Sequence, residues 1–513
     1  MPAASPNVAV RPTTREALLT RRGGWFFGLS GDNFARVVFQ ANAAVSIIVL
    51  GLITFTIFRD AVSFIPENRR NLEVYRLAGL EYVDHLRRQV EDFSALTRYL
   101  GTVRAARLEA LQKSGATPAQ AVAQLKEFDA YANAFADADS AHETILGDMT
   151  DLATGLKERA GQGEKIDFVA AVRPLRDQLA GLVAANGTLD TALREAQTHR
   201  PQFAEPAIQA RMDKFAALLG RYRAEVPQAA QAMAAWDQSK PVAWWDSLEA
   251  FIFGRDWITA SFWQDWYGVI PLFAGSLLIS FLALLLAIPL GVAAAVYVNQ
   301  VARPFEQKFI KPTIEFISAI PSVVLGFFGI AVLGESLRRL SQMPALHWVP
   351  GFPMAERLNA TTAACLLALM AIPTIFSLAE DSINNVPRSF KEASLAMGAT
   401  RLQTIIHIII PAALSGIMAA ILLGLGRVIG ETMVVLLCAG NRIQIPDFSA
   451  GLGAIFQPVH TMTGIIAQEM GEVVRGSLHY RALFMVGVVL FLISLLINWL
   501  AQKIVHRYRL PST

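Results

Sequence analysis

The chain has 513 residues, 53% of them hydrophobic and 17% charged, with a mean hydropathy of +0.39, a composition too apolar for a soluble protein of this size. Lys and Arg exceed Asp and Glu only by 45 to 42 and no long basic tract occurs, so nothing points to nucleic acid as a partner. Cys365 and Cys438 are the two cysteines, both in apolar runs; they read as small buried hydrophobes, without a disulfide or zinc framework.

The segment 1–36 carries Arg11, Arg15, Arg21, Arg22 and Arg36 and precedes an apolar run at 37–58. That run is longer than a signal-peptide core, and the FRDAVSF after it has no small-residue cleavage site, so it reads as a retained anchor. A bilayer core takes about 20 apolar residues as a helix. Five more stretches meet or approach this length: 269–298, 316–333, 360–379, 412–437 and 482–500, the second of them short and interrupted by Pro321, Gly326 and Gly329. With both termini placed in the cytoplasm, the inside segments hold fourteen Lys and Arg and the short outside segments six. Positive charge favours that orientation.

The topology exports residues 59–266 as a domain of its own. Leu86, Val90, Phe93, Leu96 and Leu100 recur at helical steps, as do Val122, Leu125, Phe128, Ala132 and Phe135. Thr117, Pro118 and Gln120 form a capping box with proline at the first helical position. Breaks at 114–117, 161–163 and 198–206 divide the stretch into about four amphipathic helices, a small bundle. A long, partly disordered linker rich in Ala and Gln is the competing reading. The aromatic cluster at 243–268 reads as an interfacial belt leading into the second span.

Between the fourth and fifth spans runs SFKEASLAMGATRLQTIIHIIIP, residues 389–411. Ser389 with Glu392 fits a capping box, Gly398 a helix stop, and Thr400 with Gln403 a second capping box. The loop therefore reads as two short helices joined at a glycine, a rigid projection suited to receiving force from a soluble partner. Glu392 as no more than a capping residue, and Gly398 as no more than a helix end, fit the residues equally well. No G-x-x-x-x-G-K-[S/T] motif occurs, so ATP hydrolysis would belong to another chain.

The fifth span contains GRVIGETMVV, with Arg427 and Glu431 four residues apart and so on one face of a continuous helix. Each charge at the bilayer centre costs about 2.5 to 3.5 kcal/mol, a burden that suggests a purpose. One reading is an ion pair that only packs helices. The other is that Arg427 offers its planar donor fork to an oxyanion on an aqueous path while Glu431 holds it and weakens the grip enough for release. Gly416, Gly424, Gly426 and Gly430 read as sites of close helix approach.

The loop spacing resembles the EAA loop of ABC importer permeases: Glu392, Ala393, Ser394, then Gly398, then Ile408 and Pro411, with Ser394 and Ile410 departing from the usual Ala and Leu. GRVIGETMVVLLCAGN, with IEFISAIPSVVLGFFGIAVLG at 314–334, resembles the permeases of the phosphate-specific (Pst) ABC importer, and the Met after GET is similar to its PstC subunit. The likeness covers about 267–509 and leaves the 59–266 insert unassigned. It implies an all-α polytopic membrane protein with six transmembrane helices of the type I ABC importer permease fold and the helical insert between the first two spans. It further implies a chain in the inner membrane whose partners are a PstA-like permease, a PstB-like ATPase dimer that binds the ATP, and a PstS-like periplasmic phosphate-binding protein. This chain would bind no cofactor. Arg427, Glu431 and Thr432 would line the substrate path, and Glu392, Ala393, Ser394, Gly398, Ile408 and Pro411 would couple to the ATPase. The glycine-bearing outside segment 441–480 is expected to hold a surface or re-entrant helix facing the binding protein.

Three other readings compete. A permease for sulfate, molybdate or phosphonate fits the same oxyanion chemistry. A membrane sensor would also pair an anchor with an extracytoplasmic helical bundle, but four further spans follow and no sizeable cytoplasmic output domain does. An ion-coupled carrier would also hold intramembrane charges, but has no use for a docking loop. His347, His407, His460, His479 and His506 lack the spacing of a metal site.

Overall fold

A computed structural model describes residues 25–26, 29–259, 261, 263–346 and 348–507; Arg11, Arg15, Arg21, Arg22, Arg509 and His347 lie outside the described residues. Helix α1, Gly31–Val62, is followed by α2, Phe64–Leu77, α3, Leu80–Lys113, α4, Pro118–Asp137, α5, Ser140–Gly161, α6, Leu179–Thr198, α7, Pro206–Ala234, and α8, Trp244–Ile252. A second group then runs α9, Ile270–Val296, α10, Pro304–Ser318, α11, Ser322–Ser341, α12, Ala360–Asn384, α13, Arg388–Ala396, α14, Arg401–Ile429, α15, Met433–Cys438, α16, Met462–Glu469, and α17, Leu478–Arg507.

In the insert, Thr117 makes the expected capping box and starts α4. Further breaks are additional, and the one at Ala138 and Asp139 divides what reads as one helix into α4 and α5 without a glycine or proline to announce it. The interior has two apolar cores. Phe93, Phe135, Leu189, Phe215 and Tyr222 fill one, and Leu86, Met149, Leu182 and Met233 belong to the other. Between them lies a polar layer: Asn186 Oδ1 accepts from Gln89 Nε2 at 3.0 Å and sits 2.8 Å from His142 Nε2, while His142 Nδ1 faces Asp139 Oδ1 at 3.1 Å.

The base of the insert is fastened to the membrane helices. Asn68 donates to Ser247 Oγ, Phe64 packs edge-on to Phe251 and Tyr267, and Arg481 of α17 pairs with Glu67 of α2. The aromatic cluster only partly matches an exposed belt. Trp257, Trp263 and Tyr267 are buried around a two-stranded hairpin, Trp257–Ile258 with Trp266–Tyr267, while Trp244 and Trp245 remain exposed.

Among the described residues, five helical stretches are long and apolar enough to cross a membrane, and a sixth arises if α10 and α11 count as one broken span. They are bent by 90° to each other, so the expected span at 316–333 straddles a break rather than forming one rod. The cause is Pro321, whose ring lacks an N–H and whose backbone is extended at ψ 137°. Small side chains set the main contact: Ala283, Ala287 and Gly291 of α9 lie in the same core as Ala364, Ala371 and Ile375 of α12. Of the four glycines expected at close approaches, Gly416 abuts Ser382 and Gly424 abuts Ile375, whereas Gly426 has open space beside it and Gly430 no contact closer than 3.4 Å.

Candidate functional site

The loop after α12 folds locally. Pro387, with ψ 133°, ends the incoming chain, and α13 starts at Arg388. Ser389 therefore sits inside the first turn, and the expected Ser389–Glu392 capping box is absent because Pro387 already occupies the cap. Gly398 takes φ +86°, a left-handed conformation that side-chain-bearing residues adopt at a cost, and reverses the chain. Thr400 and Gln403 then form the expected capping box at the start of α14. Ser394 Oγ lies 2.9 Å from Thr404 Oγ1, tying the two helices together. Glu392 and Ala393 are exposed, Ile408 is half-buried in a wide turn of α14, and Pro411 follows it. Phe390, Leu395, Met397 and Leu402 are exposed on the same loop, an apolar surface that a capping-box search passes over.

The fifth span is broken at the charges. Helix α14 ends at Ile429, Gly430 caps it, and α15 begins only at Met433. Arg427 and Glu431 consequently do not share a helix face and form no ion pair; the spacing of four has its meaning only within a continuous helix. Arg427 Nη1 instead donates to Thr374 Oγ1 of α12 at 2.9 Å, with its side chain exposed. Glu431 turns to the next helix, accepting from the backbone N–H of Met433 at 3.2 Å and of Val434 at 3.4 Å. Thr463 next to the break donates to Glu431 O at 2.8 Å, and the half-buried Thr432 donates to Gly430 O at 3.4 Å. A helix interrupted at membrane depth presents unpaired backbone groups, which persist where they line a cavity or a path.

A second polar cluster, outside any motif, links this bundle to the loop. Glu380 Oε1 on α12 receives Lys311 of α10, Asn384 Nδ2 and Asn299 Nδ2. Asn299 Oδ1 accepts from Gln300 Nε2, whose Oε1 accepts from Lys391 of α13 at 3.1 Å. One chain of hydrogen bonds thus joins α13, α12 and the helix before the 90° break. Among the described residues there is no group of His, Cys, Asp and Glu able to hold a metal ion.

The description "binding-protein-dependent transport system inner membrane component" matches residues 287–510. The probable ABC transporter permease protein YqgH of Bacillus subtilis is 34% identical over 241 residues, 46% of this chain and 72% of that one. The chain belongs to the ABC permease family. It is a multi-pass membrane protein with that family's fold. The phosphate transport system permease protein PstC of Haemophilus influenzae is 30% identical over 51% of this chain and 84% of its own, and PstC of Mesorhizobium japonicum is 30% identical over 51% and 81%. A chain of the inward-facing MetNI methionine transporter, 20% identical, covers 47% of this chain and 95% of its own at a TM-score of 0.34.

Proposed function

We propose that this chain is the PstC-like permease subunit of an ATP-driven importer of inorganic phosphate. The observation that carries the reading is Arg427, an exposed guanidinium held by Thr374 beside a broken helix, in a chain similar over most of their length to phosphate permeases. A guanidinium presents two parallel donors to a phosphate oxygen pair, and only one of its donors is committed to Thr374. Glu431 and Thr432 shape the path by fixing the break.

The remaining parts follow from family and geometry together. The loop of Glu392, Ala393, Ser394 and Gly398, with its exposed Phe390 and Met397, docks in a PstB-like ATPase dimer that binds and hydrolyses ATP, and Ile408 and Pro411 carry the motion into α14. A PstA-like permease completes the pore, and a PstS-like binding protein delivers phosphate from the side of the insert. Both termini lie in the cytoplasm, as the distribution of Lys and Arg supports.

The test is radiolabelled phosphate uptake in cells lacking their own high-affinity permease, with this chain and its companion subunits supplied. Uptake should appear with the parent and be lost with Arg427→Ala and with Glu392→Ala while both variants still insert. A correctly assembled parent that moves sulfate or molybdate but no phosphate would transfer the same geometry to another oxyanion.

A further inference from the structure

A second anion-binding constellation stands at the end of α12 opposite the cytoplasmic loop. Arg357 precedes α12, Arg442 follows α15, and both line an open cleft of about 430 Å³ with Glu356, Asn441, Gly440 and Pro458. Both arginines are exposed, and neither guanidinium has a hydrogen-bonding or ion-pairing partner within the described residues. Two cations thus face one carboxylate, a local excess of positive charge at the outer mouth of the bundle.

The floor that carries them is fixed. Gly440 has φ +89°, and a Cβ there would come within 2.6 Å of Leu358 O and 2.5 Å of Pro458 Cβ, so the strand after α15 lies directly against the segment before α12. Val459 N donates to Ala439 O at 2.9 Å, and Asn441, at φ +51°, donates its side-chain N–H to Leu436 O at 2.9 Å. The fixed backbone brings two unpartnered guanidiniums to one cleft, and their donor forks suit a tetrahedral anion. Thr374, which holds Arg427, lies fourteen residues along α12 from Ala360, about 21 Å at 1.5 Å per residue. The arginine pair at the start of α12 and Arg427, bonded to Thr374 within it, are therefore set apart along the same helix.

We propose that the cleft between Arg357 and Arg442 is the outer phosphate station of the permease, where the anion is first held after leaving the binding protein and before it reaches Arg427. This rests on the phosphate reading above. Phosphate that meets no cation at the mouth returns to bulk solution while the ATPase still turns over, so the station governs how much is delivered per cycle. Glu356 limits the affinity and lets the anion leave inward.

The assembled transporter, reconstituted in liposomes with its binding protein and radiolabelled phosphate, gives phosphate delivered per ATP hydrolysed and the binding-protein-stimulated ATPase rate. Arg357→Gln with Arg442→Gln should lower the delivery ratio at least about fivefold, as expected for losing two charged donors, with the stimulated ATPase rate retained. Each single variant should fall between, and Lys at both positions should restore part of the ratio. An unchanged ratio overturns the station. Loss of stimulated ATPase also overturns it, because the arginines would then be holding the binding protein rather than the anion. A parent complex that itself delivers no phosphate refutes the phosphate reading, and the phosphate assigned to the cleft with it, and is distinguished because the parent fails and not only the variants.

Discussion

Lys311 Nζ lies 2.5 Å from Glu380 Oε1, joining the helix before the 90° break to the span that leads into α13. Glu380 is almost fully buried, and Asn299 and Asn384 donate to the same carboxylate oxygen, Oε1, that Lys311 contacts. Through Asn299 and Gln300 the same carboxylate is connected to Lys391 on α13. A displacement of α13 therefore reaches α10 by a short polar route. Glu380→Gln keeps the volume and most hydrogen bonds but leaves Lys311 without its counter-charge. Removing one partner of a fully buried pair costs about 3 to 5 kcal/mol. Lys311 is 36% exposed, so solvent screening reduces the expected loss to about 1 to 2 kcal/mol. Uptake per ATP should fall severalfold with membrane abundance little changed, and the reciprocal exchange Lys311→Glu with Glu380→Lys should recover part of it. A reciprocal variant no better than the single one would show that the pair does not carry the coupling.

The bond from Arg427 to Thr374 gives a second prediction, for a residue no motif contains. Thr374→Val removes the hydroxyl at nearly constant volume, so the guanidinium loses its one side-chain hydrogen bond among the described residues while its charge remains. Hydrogen bonds to charged groups contribute about 1.5 to 3 kcal/mol, and exposure puts this one at the lower end. Uptake efficiency should drop about tenfold, the equivalent of about 1.4 kcal/mol. Thr374→Ser should stay near the parent. A Val variant with unaltered kinetics would mean that Arg427 positions itself.

What was legible in the sequence was mostly local. Gly398 and the Thr400–Gln403 box act within a few residues, so the helix pair of α13 and the start of α14 could be read from spacing alone, and the apolar periodicity of 86–100 likewise placed α3 on the core of the insert. Ser389 misled because Pro387, two residues earlier, takes the cap. The pairing of Arg427 with Glu431 presumed a continuous helix, and Gly430–Thr432 ends it with residues that many spans tolerate. Thr374, Lys311 with Glu380, and Arg357 with Arg442 are separated by tens of residues, so only the packing of α12 against its neighbours brings them together. In the sequence they were a hydroxyl and ordinary loop charges.

Glu431 supplies a test of whether its charge or its geometry matters. Its carboxylate accepts from the first N–H groups of α15, the role of a cap, and losing such a cap costs about 1 kcal/mol. Glu431→Gln retains an acceptor oxygen and should keep most uptake, whereas Glu431→Ala leaves Met433 and Val434 N–H unsatisfied and should lose about fivefold or more. Equal damage from both would assign the effect to charge, and so to moderation of Arg427 in the path.

The polar layer of the insert predicts how its stability follows pH. Burial works to depress the pKa of His142, but the hydrogen bonds to Asp139 and Asn186 and the charge of Asp139 outweigh it and raise it above the ordinary 6.5. Burial also pushes the carboxyl of Asp139 up, partly offset by His142. Both groups hold protons more firmly in the folded insert than in the unfolded chain, so both act with the same sign. The His142 contribution is present in full below about pH 6.5 and is lost as pH rises through its raised value. Hydrogen exchange on the full chain, corrected for intrinsic rates, should show protection at the start of α5 and the middle of α6 falling from about pH 6 to about pH 8. His142→Gln keeps a donor toward Asn186 Oδ1 but does not titrate, and should flatten that slope while leaving the two apolar cores protected. Protection that rises with pH, or an unchanged slope in the variant, would place the proton elsewhere than on the His142–Asp139 pair.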